Sequence, residues 1–488
     1  MTTERGTRGG SRLPVGEDRS LELDAEAMRA MTEAALERAI RHIGELAERP
    51  AYVDTLGAVQ SSRQLVEPLP TTATPLAELL DAVFDQHAAA SFATAGPGYL
   101  AYVPGGGLFH AAVADLIADT VNRYTGVLLA APGLVQLEAN VVRWFNEIVG
   151  YPQTAGGFLT SGGSLANLGA IVTARIDRLG EQFLDGTIYV SDQAHHCVAK
   201  AARIAGFPRA NLRVLPTDAD FRLETGAVEA AIIADREQGR RPFLLVASAG
   251  TTNTGAIDPL PALADVAARY GLWFHVDAAY GGFFALTDRG RQALTGLDRA
   301  DSLVLDPHKG LFLPYGTGAL LVRDPATLRA AHSEHADYMP TMQEDPDLVD
   351  PCEVSPELSK PFRGLRIWLP FKLHGIAPFR HNLDEKLDLT HWIADRLRTL
   401  DNISILAEPQ LSILAFAVDD PTGDATEGER LTRQLHTAIN RRAHVHLTAT
   451  TLGGRYAIRI CVLSFRTHLD RMQACLEDIE SGLEEIGL

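Results

Sequence analysis

FLLVASAGTTNTGAIDPLPALADVAARYGLWFHVDAAYGG, residues Phe243–Gly282, holds two apolar runs of strand length separated by a turn and a helical pattern. FLLVAS opens it, LWFHVDAAY from Leu272 closes it, and LPALADVAARYG between them spaces its apolar residues as a helix does and ends on glycine. Continuous apolar strands joined through helices are buried on both faces, which predicts a mostly parallel sheet covered by helices on each side. The same alternation continues outward. TIYVS from Thr187, LRVLP from Leu212, SLVLD from Ser302 and GALLV from Gly318 predict further strands, with VAKAARIAG as a helix among them. The fold class is therefore expected to be α/β, with ligands bound beyond the carboxyl ends of the strands.

The flanks read differently. Residues 1–20 are polar and rich in Gly and Arg, a tail with nothing periodic to bury. Residues 21–90 are expected to form a helical arm, because Leu23, Met28, Met31, Leu36, Ile40 and Ile43 recur at mostly helical spacings. The large domain is set at 91–361; its last stretch, about 324–361, is Pro- and acid-rich, too long for an ordinary connection, and reads as a lid or binding loop. From 362 to 488, helical stretches and the strand-like runs LSILAFAV and YAIRICVL predict a smaller α+β C-terminal domain.

Composition narrows the function classes. A chain of 488 residues, 46% hydrophobic and 22% charged, is in the globular range, and a net charge of −18 opposes nonspecific binding to nucleic acid. No run reaches the roughly 18 uncharged apolar residues of a membrane helix, and the start lacks a signal-like apolar core, so a cytoplasmic location is expected. Cys197, Cys352, Cys461 and Cys475 are scattered without a CxxC pair; neither a metal site nor a disulfide framework is indicated.

Four segments carry candidate chemistry. GGFLTSGGSLANLGAIVTAR turns from a strand end into a helix starting near Ser164, and Gly163 and Ser164 are either a phosphate-binding turn or a tight connection capped by the serine. Asp277 ends a buried strand, where a carboxylate needs a permanent partner; it is a turn aspartate or the counter-ion of a protonated ring, for which the small Ala279 leaves room. SLVLDPHKG presents His308 and Lys309 at another strand end, and a lysine there is either solvated or a Schiff-base nucleophile of depressed pKa. SDQAHHCVAKAARIAG places His195 and His196 after a strand, one to stack on a ligand and the other to cap the helix, or both as structural histidines.

Taken in order, DQAHHCVAKAA, SAGTTNTGAIDP, HVDAAYGG and DPHKG, with Lys309 lying 32 residues after Asp277, resemble the group II pyridoxal-phosphate (PLP) decarboxylases. That family includes aromatic-L-amino-acid, tyrosine, glutamate and diaminobutyrate decarboxylases. The resemblance implies a fold-type I architecture, a homodimer with active sites at its interface, and decarboxylation of an L-amino acid to an amine. It further implies that Lys309 holds PLP, that Asp277 partners the pyridine nitrogen, and that His195 and Ala279 flank the ring. Gly163 and Ser164 match the phosphate turn, Thr252 a residue beside the ring, and His308 the histidine near cofactor and substrate. Asp306 stands where the family often has Asn, and its role is left open. Tyr338 resembles the lid tyrosine that protonates the product carbon, whereas relatives with phenylalanine there tend to form aldehydes.

GYLAYVPGGGLF offers Tyr102 and Val103 as an apolar wall without an arginine for a side-chain carboxylate, and Ser359 matches a serine of tyrosine-preferring plant members. An aromatic substrate, phenolic before indolic, is the expectation. The competing readings are a decarboxylation-dependent aldehyde synthase, another PLP carbon–carbon lyase, or a catalytically silent scaffold; the intact Lys309, Asp277 and His195 argue against the last.

Overall fold

The structure is a computed structural model that describes residues 21–53, 55–334 and 349–488. It divides into two compact units, one from the described residues of Met1–Glu48 and Asp54–Ser91, the other from Arg49–Val53 and Phe92–Leu488. The first unit contains the helix Ala25–Gly44, whose Asp24 side chain accepts from the Ala27 N–H and caps its start. Within it, Arg38 pairs with Asp81 and Asp85. The tail expected over 1–20 lies outside the described residues.

The second unit is built on a seven-stranded sheet. Its strands are β1 (Gly156–Thr160), β2 (Gly186–Ser191), β3 (Leu212–Leu215), β4 (Arg241–Ser248), β5 (Trp273–Asp277), β6 (Ser302–Leu305) and β7 (Gly318–Val322), in the order β1-β7-β6-β5-β4-β2-β3. Pairings from β3 to β6 are parallel, whereas β7 runs antiparallel to both β1 and β6. All six strands expected in this region form, and β1 adds a seventh where only a strand end was anticipated. Strand β5 stops at Asp277, short of the run to Tyr280, because the chain turns as soon as the Asp277 side chain accepts the Ala279 N–H.

Alternation along β5 divides the core. Phe274 and Val276 enter one apolar cluster, with Phe145, Phe283 and Leu303, while Trp273 enters the other, with Ile171, Val246 and Leu320. The second sheet is antiparallel, β8 (Ile403–Ala407), β9 (Ile413–Val418), β10 (Thr448–Leu452) and β11 (Arg455–Cys461), in the order β10-β11-β9-β8. Helices Ala377–Leu397, Ala425–Arg442 and Leu469–Glu485 supply its apolar cover, including Ile393, Leu435 and Ile479. Among the described residues, no helix is long and apolar enough to cross a membrane.

Candidate functional site

Because β1 is parallel to β6, the carboxyl ends of β1, β2, β4, β5 and β6 open on one edge of the sheet. A cavity of about 370 Å³ lies there, within the size range of small-molecule sites. Its wall takes Gly163 and Ser164 from after β1, His195 from after β2, Thr252 from after β4, Asp277 and Ala279 from β5 and its turn, and Asp306, His308 and Lys309 from after β6. Residues spread over almost 150 positions of sequence thus converge through strand topology alone.

The turn after β1 is shaped for close approach. Gly162 has φ +155°, and the Thr160 hydroxyl both accepts from its N–H and donates to its carbonyl. Helix Gly163–Leu179 begins immediately, with Gly162 at its N-cap; the cap role anticipated for Ser164 does not arise, since no side chain caps this end. Its free N–H groups therefore face the cavity. A Cβ at Gly163 would stand 3.1 Å from Asp306 Oδ2 and 3.3 Å from the Ala279 methyl, so a larger residue would have to push the floor aside.

Asp277 accepts from Asn167 Nδ2 at 3.1 Å and from the Ala279 N–H at 3.1 Å. Lys309 extends from the short helix Pro307–Gly310, with its Nζ 3.0 Å from Asp306 Oδ2. Burial disfavours its charge, but Asp306 and then Asp277 outweigh that and raise its pKa. The depressed lysine pKa anticipated from the strand-end position is thus corrected, because two carboxylates face the amine. Asp306 Oδ1 is buried and has no partner, a lone acceptor aimed at the site.

His195 performs the capping itself: its Nδ1 accepts from the Cys197 N–H at 3.3 Å at the start of helix His196–Ile204. Its ring lines the cavity, and burial lowers its pKa, so the imidazole is kept neutral. His308 donates from Nδ1 to the Thr317 carbonyl at 2.6 Å, leaving Nε2 bare and 3.6 Å from Asp306 Oδ2; burial lowers its pKa too.

Not every expected residue reaches the cavity. Tyr102 is 56% exposed with φ +49°, Val103 is packed in the core and Ser359 is exposed, and none of the three lines the cavity. Val103 instead joins the apolar cluster that includes Ala111 and Phe145, which takes its side chain away from the cavity. Tyr338 lies outside the described residues. Other neighbours were missed: Asn167, Cys197 and Tyr280 line the cavity. Arg459 was missed as well; it is buried on β11, donates to the carbonyls of Asn253 and Tyr102, and has an unpartnered Nη2. An arginine inside the apolar run YAIRICVL was the available signal, since such a charge needs partners.

A family profile described as the pyridoxal-dependent decarboxylase conserved domain matches residues 61–419. The chain belongs to the pyridoxal-dependent decarboxylase family. This decarboxylase is 31% identical over 475 residues to an aromatic-L-amino-acid decarboxylase of Bacillus atrophaeus, covering 96% of this chain and 98% of that one. It is 28% identical over 397 residues to a phenylacetaldehyde synthase of Petunia hybrida, with 77% and 78% covered. Its fold matches the crystal structure of Oryza sativa TDC with PLP and tryptamine at a TM-score of 0.89 and 25% identity, over 95% of this chain and 99% of that one. The architecture is accordingly fold-type I, the cofactor is PLP, and the enzyme is a carboxy-lyase acting on an amino acid.

The residues present suit that cofactor. A glycine turn at a helix N-terminus suits its phosphate, a carboxylate held by Asn167 suits a protonated ring nitrogen, and a lysine in the same cavity suits its aldehyde.

Proposed function

We propose that this decarboxylase converts an aromatic L-amino acid to its amine, with the active site centred on Lys309. The observation that carries this reading is the convergence, in one cavity, of Lys309, Asp277 and the Gly163–Ser164 turn from three separate strand ends. In it Lys309 would hold the aldehyde of PLP, Asp277 would hold the ring nitrogen protonated, and Gly163 and Ser164 would receive the phosphate. His195 and Ala279 would flank its ring, Thr252 would stand beside it and His308 would serve the substrate, all four lining the cavity. PLP, when bound, supplies a protonated ring that withdraws the electron pair released as CO₂ leaves. Asp277 keeps that ring charged, because a nearby carboxylate raises the pKa of a cation. Tyr338 delivers a proton to Cα, so that amine forms rather than aldehyde.

Two neutral histidines suit these roles. His195 stays uncharged through burial and can stack without repelling a cationic ring, and the bare Nε2 of His308 can accept a proton. The aromatic preference is supported by the Bacillus relative, and Tyr102 and Ser359, but not the core-packed Val103, are assigned to the substrate side. Both are exposed on the single chain, which fits a site completed by a second copy. A homodimer is further supported by the apolar side chains Leu116, Ile117, Val121, Tyr124 and Leu129, all exposed on and beside helix Phe109–Val121. A cytoplasmic location accords with the chain's free cysteines.

The test is mass spectrometry of the products formed by purified, PLP-loaded enzyme with each of the twenty amino acids. Tyramine, phenethylamine or tryptamine is expected to dominate. Preferential turnover of glutamate or an aliphatic amino acid would overturn the substrate class, and aldehyde with peroxide as the main products would overturn the amine.

A further inference from the structure

Behind Asp277 runs a chain of side-chain hydrogen bonds that the reaction itself does not use. Trp273, His275 and Asp277 alternate along β5 and so share one face of the sheet, and His275 is in register with Ser302 on β6. Trp273 Nε1 is 2.8 Å from Ser302 Oγ, Ser302 Oγ is 2.7 Å from His275 Nδ1, His275 Nε2 is 3.0 Å from Asn167 Oδ1, and Asn167 Nδ2 is 3.1 Å from Asp277 Oδ2. Asn167, His275 and Ser302 are fully buried, and Trp273 nearly so.

The chemistry at its two ends gives this chain a direction. Indole N–H can only donate, and an ionised carboxylate can only accept. Asn167 must therefore turn its amide nitrogen to Asp277 and its oxygen to His275, so His275 carries its proton on Nε2. A neutral imidazole protonated there has a bare Nδ1, which accepts the Ser302 hydroxyl proton, while Ser302 accepts from Trp273. Burial holds His275 at a pKa of about 4, so the ring is neutral at ordinary pH. The same Asn167 amide donates to the Gly163 carbonyl at 3.0 Å, tying the glycine turn to the carboxylate.

We propose that Asn167 and His275 are positioning residues that fix the Asp277 carboxylate, and through it the seat of the cofactor ring, by this one-way chain from Trp273. The proposal rests on the assignment of Asp277 to the ring nitrogen. Asn167 holds Asp277 directly, His275 fixes which way Asn167 faces, and Ser302 fixes the tautomer of His275. Their influence on the cofactor falls off in that order.

The test uses full-length enzyme, stripped of PLP and titrated with it. The readouts are PLP dissociation followed by fluorescence and the visible circular dichroism per bound cofactor, which reports how the ring is held. Asn167→Ala removes a hydrogen bond to a charged group and is expected to weaken PLP binding about 10-fold or more and diminish the dichroic band. His275→Leu is expected to act in the same direction to a smaller degree. His275→Gln, which keeps an N–H at the position of Nε2, should restore both readouts, and Ser302→Ala, a change of one atom, should lower the dichroism with little loss of affinity. Wild-type behaviour of Asn167→Ala and His275→Leu would overturn the proposal, as would equal impairment in His275→Leu and His275→Gln. Asp277→Asn separates the two levels. If it leaves both readouts unchanged, the assignment of Asp277 falls and the proposal with it. If it alters them while Asn167→Ala does not, only the proposal falls.

Discussion

His446 should make the enzyme acid-sensitive, by an amount that its surroundings define. It is 5% exposed, enclosed by the rings of Phe92 at 4.5 Å, Tyr52 at 5.2 Å and Tyr99 at 5.5 Å, and its Nδ1 has no partner. Burial, aided by nearby His436, lowers its pKa to about 4. In the unfolded chain an imidazole titrates near 6.5. Between those values the unfolded state binds the extra proton, so stability is full above about pH 6.5 and is lost as pH falls toward 4. At pH 5 the loss amounts to about 2 kcal/mol relative to pH 7.5. An unfolding entropy of roughly 1 kcal/mol/K for a chain of this length turns this into about 2 °C of Tm.

The perturbation is His446→Phe, which keeps a ring in the aromatic enclosure and removes the titration. Whatever constant cost the new ring brings, the gap between variant and wild type should shift by about 2 °C in favour of the variant between pH 7.5 and 5. Differential scanning calorimetry at both pH values, at one scan rate and with PLP saturating, measures it. Parallel pH profiles for the two proteins would refute the reasoning. The site of the effect matters because His446 bonds through its backbone to Gly98 and Leu100, at the base of the segment that leads to Tyr102.

Three further outcomes are expected. Lys309→Ala should abolish the visible absorbance of protein-bound PLP and bring amine formation below detection, read by spectrophotometry and product analysis. Tyr338→Phe should slow amine formation by about 10²–10⁴-fold, with aldehyde and peroxide rising in its place; an unchanged product ratio would remove Tyr338 from the chemistry. Asp306→Asn takes away the carboxylate 3.0 Å from Lys309 Nζ, so the lysine pKa should fall and more of the amine be neutral at a given pH. PLP capture by the apoenzyme, followed in a stopped-flow instrument, should then extend to lower pH, whereas an unmoved pH profile would show that Asp306 does not govern the lysine.

Much of the large sheet was legible because its strands are apolar on both faces and so stand out as uninterrupted runs, as in FLLVAS and SLVLD. Strand β1 was only half visible, since its first two residues are glycines, which carry no side-chain pattern. The direction of β7 was not legible at all: GALLV reads the same whichever way it runs, and only its pairing with β1 and β6 decides. Lys309, Asp277 and His195 were legible as chemistry only together, through motifs whose order and spacing resemble the PLP decarboxylases, since each alone also reads as a turn, solvated or structural residue. Asn167 and Arg459 were not, for each depends on what faces it from a distant segment, His275 of β5 for the one and the turn carbonyl of Asn253 for the other.

Sequence by itself predicted the layered α/β class from local periodicity, and the resemblance of its motifs picked out candidates to hold a phosphate, a ring and an aldehyde. Tertiary structure alone decided the electrostatics. Lys309 is charged rather than neutral because Asp306 and Asp277 meet it in space, and the proton on His275 is assigned by a donor and an acceptor at opposite ends of a chain that crosses two strands and a helix. Charge states depend on distances of a few ångströms between groups far apart in sequence, and only the folded chain sets those distances.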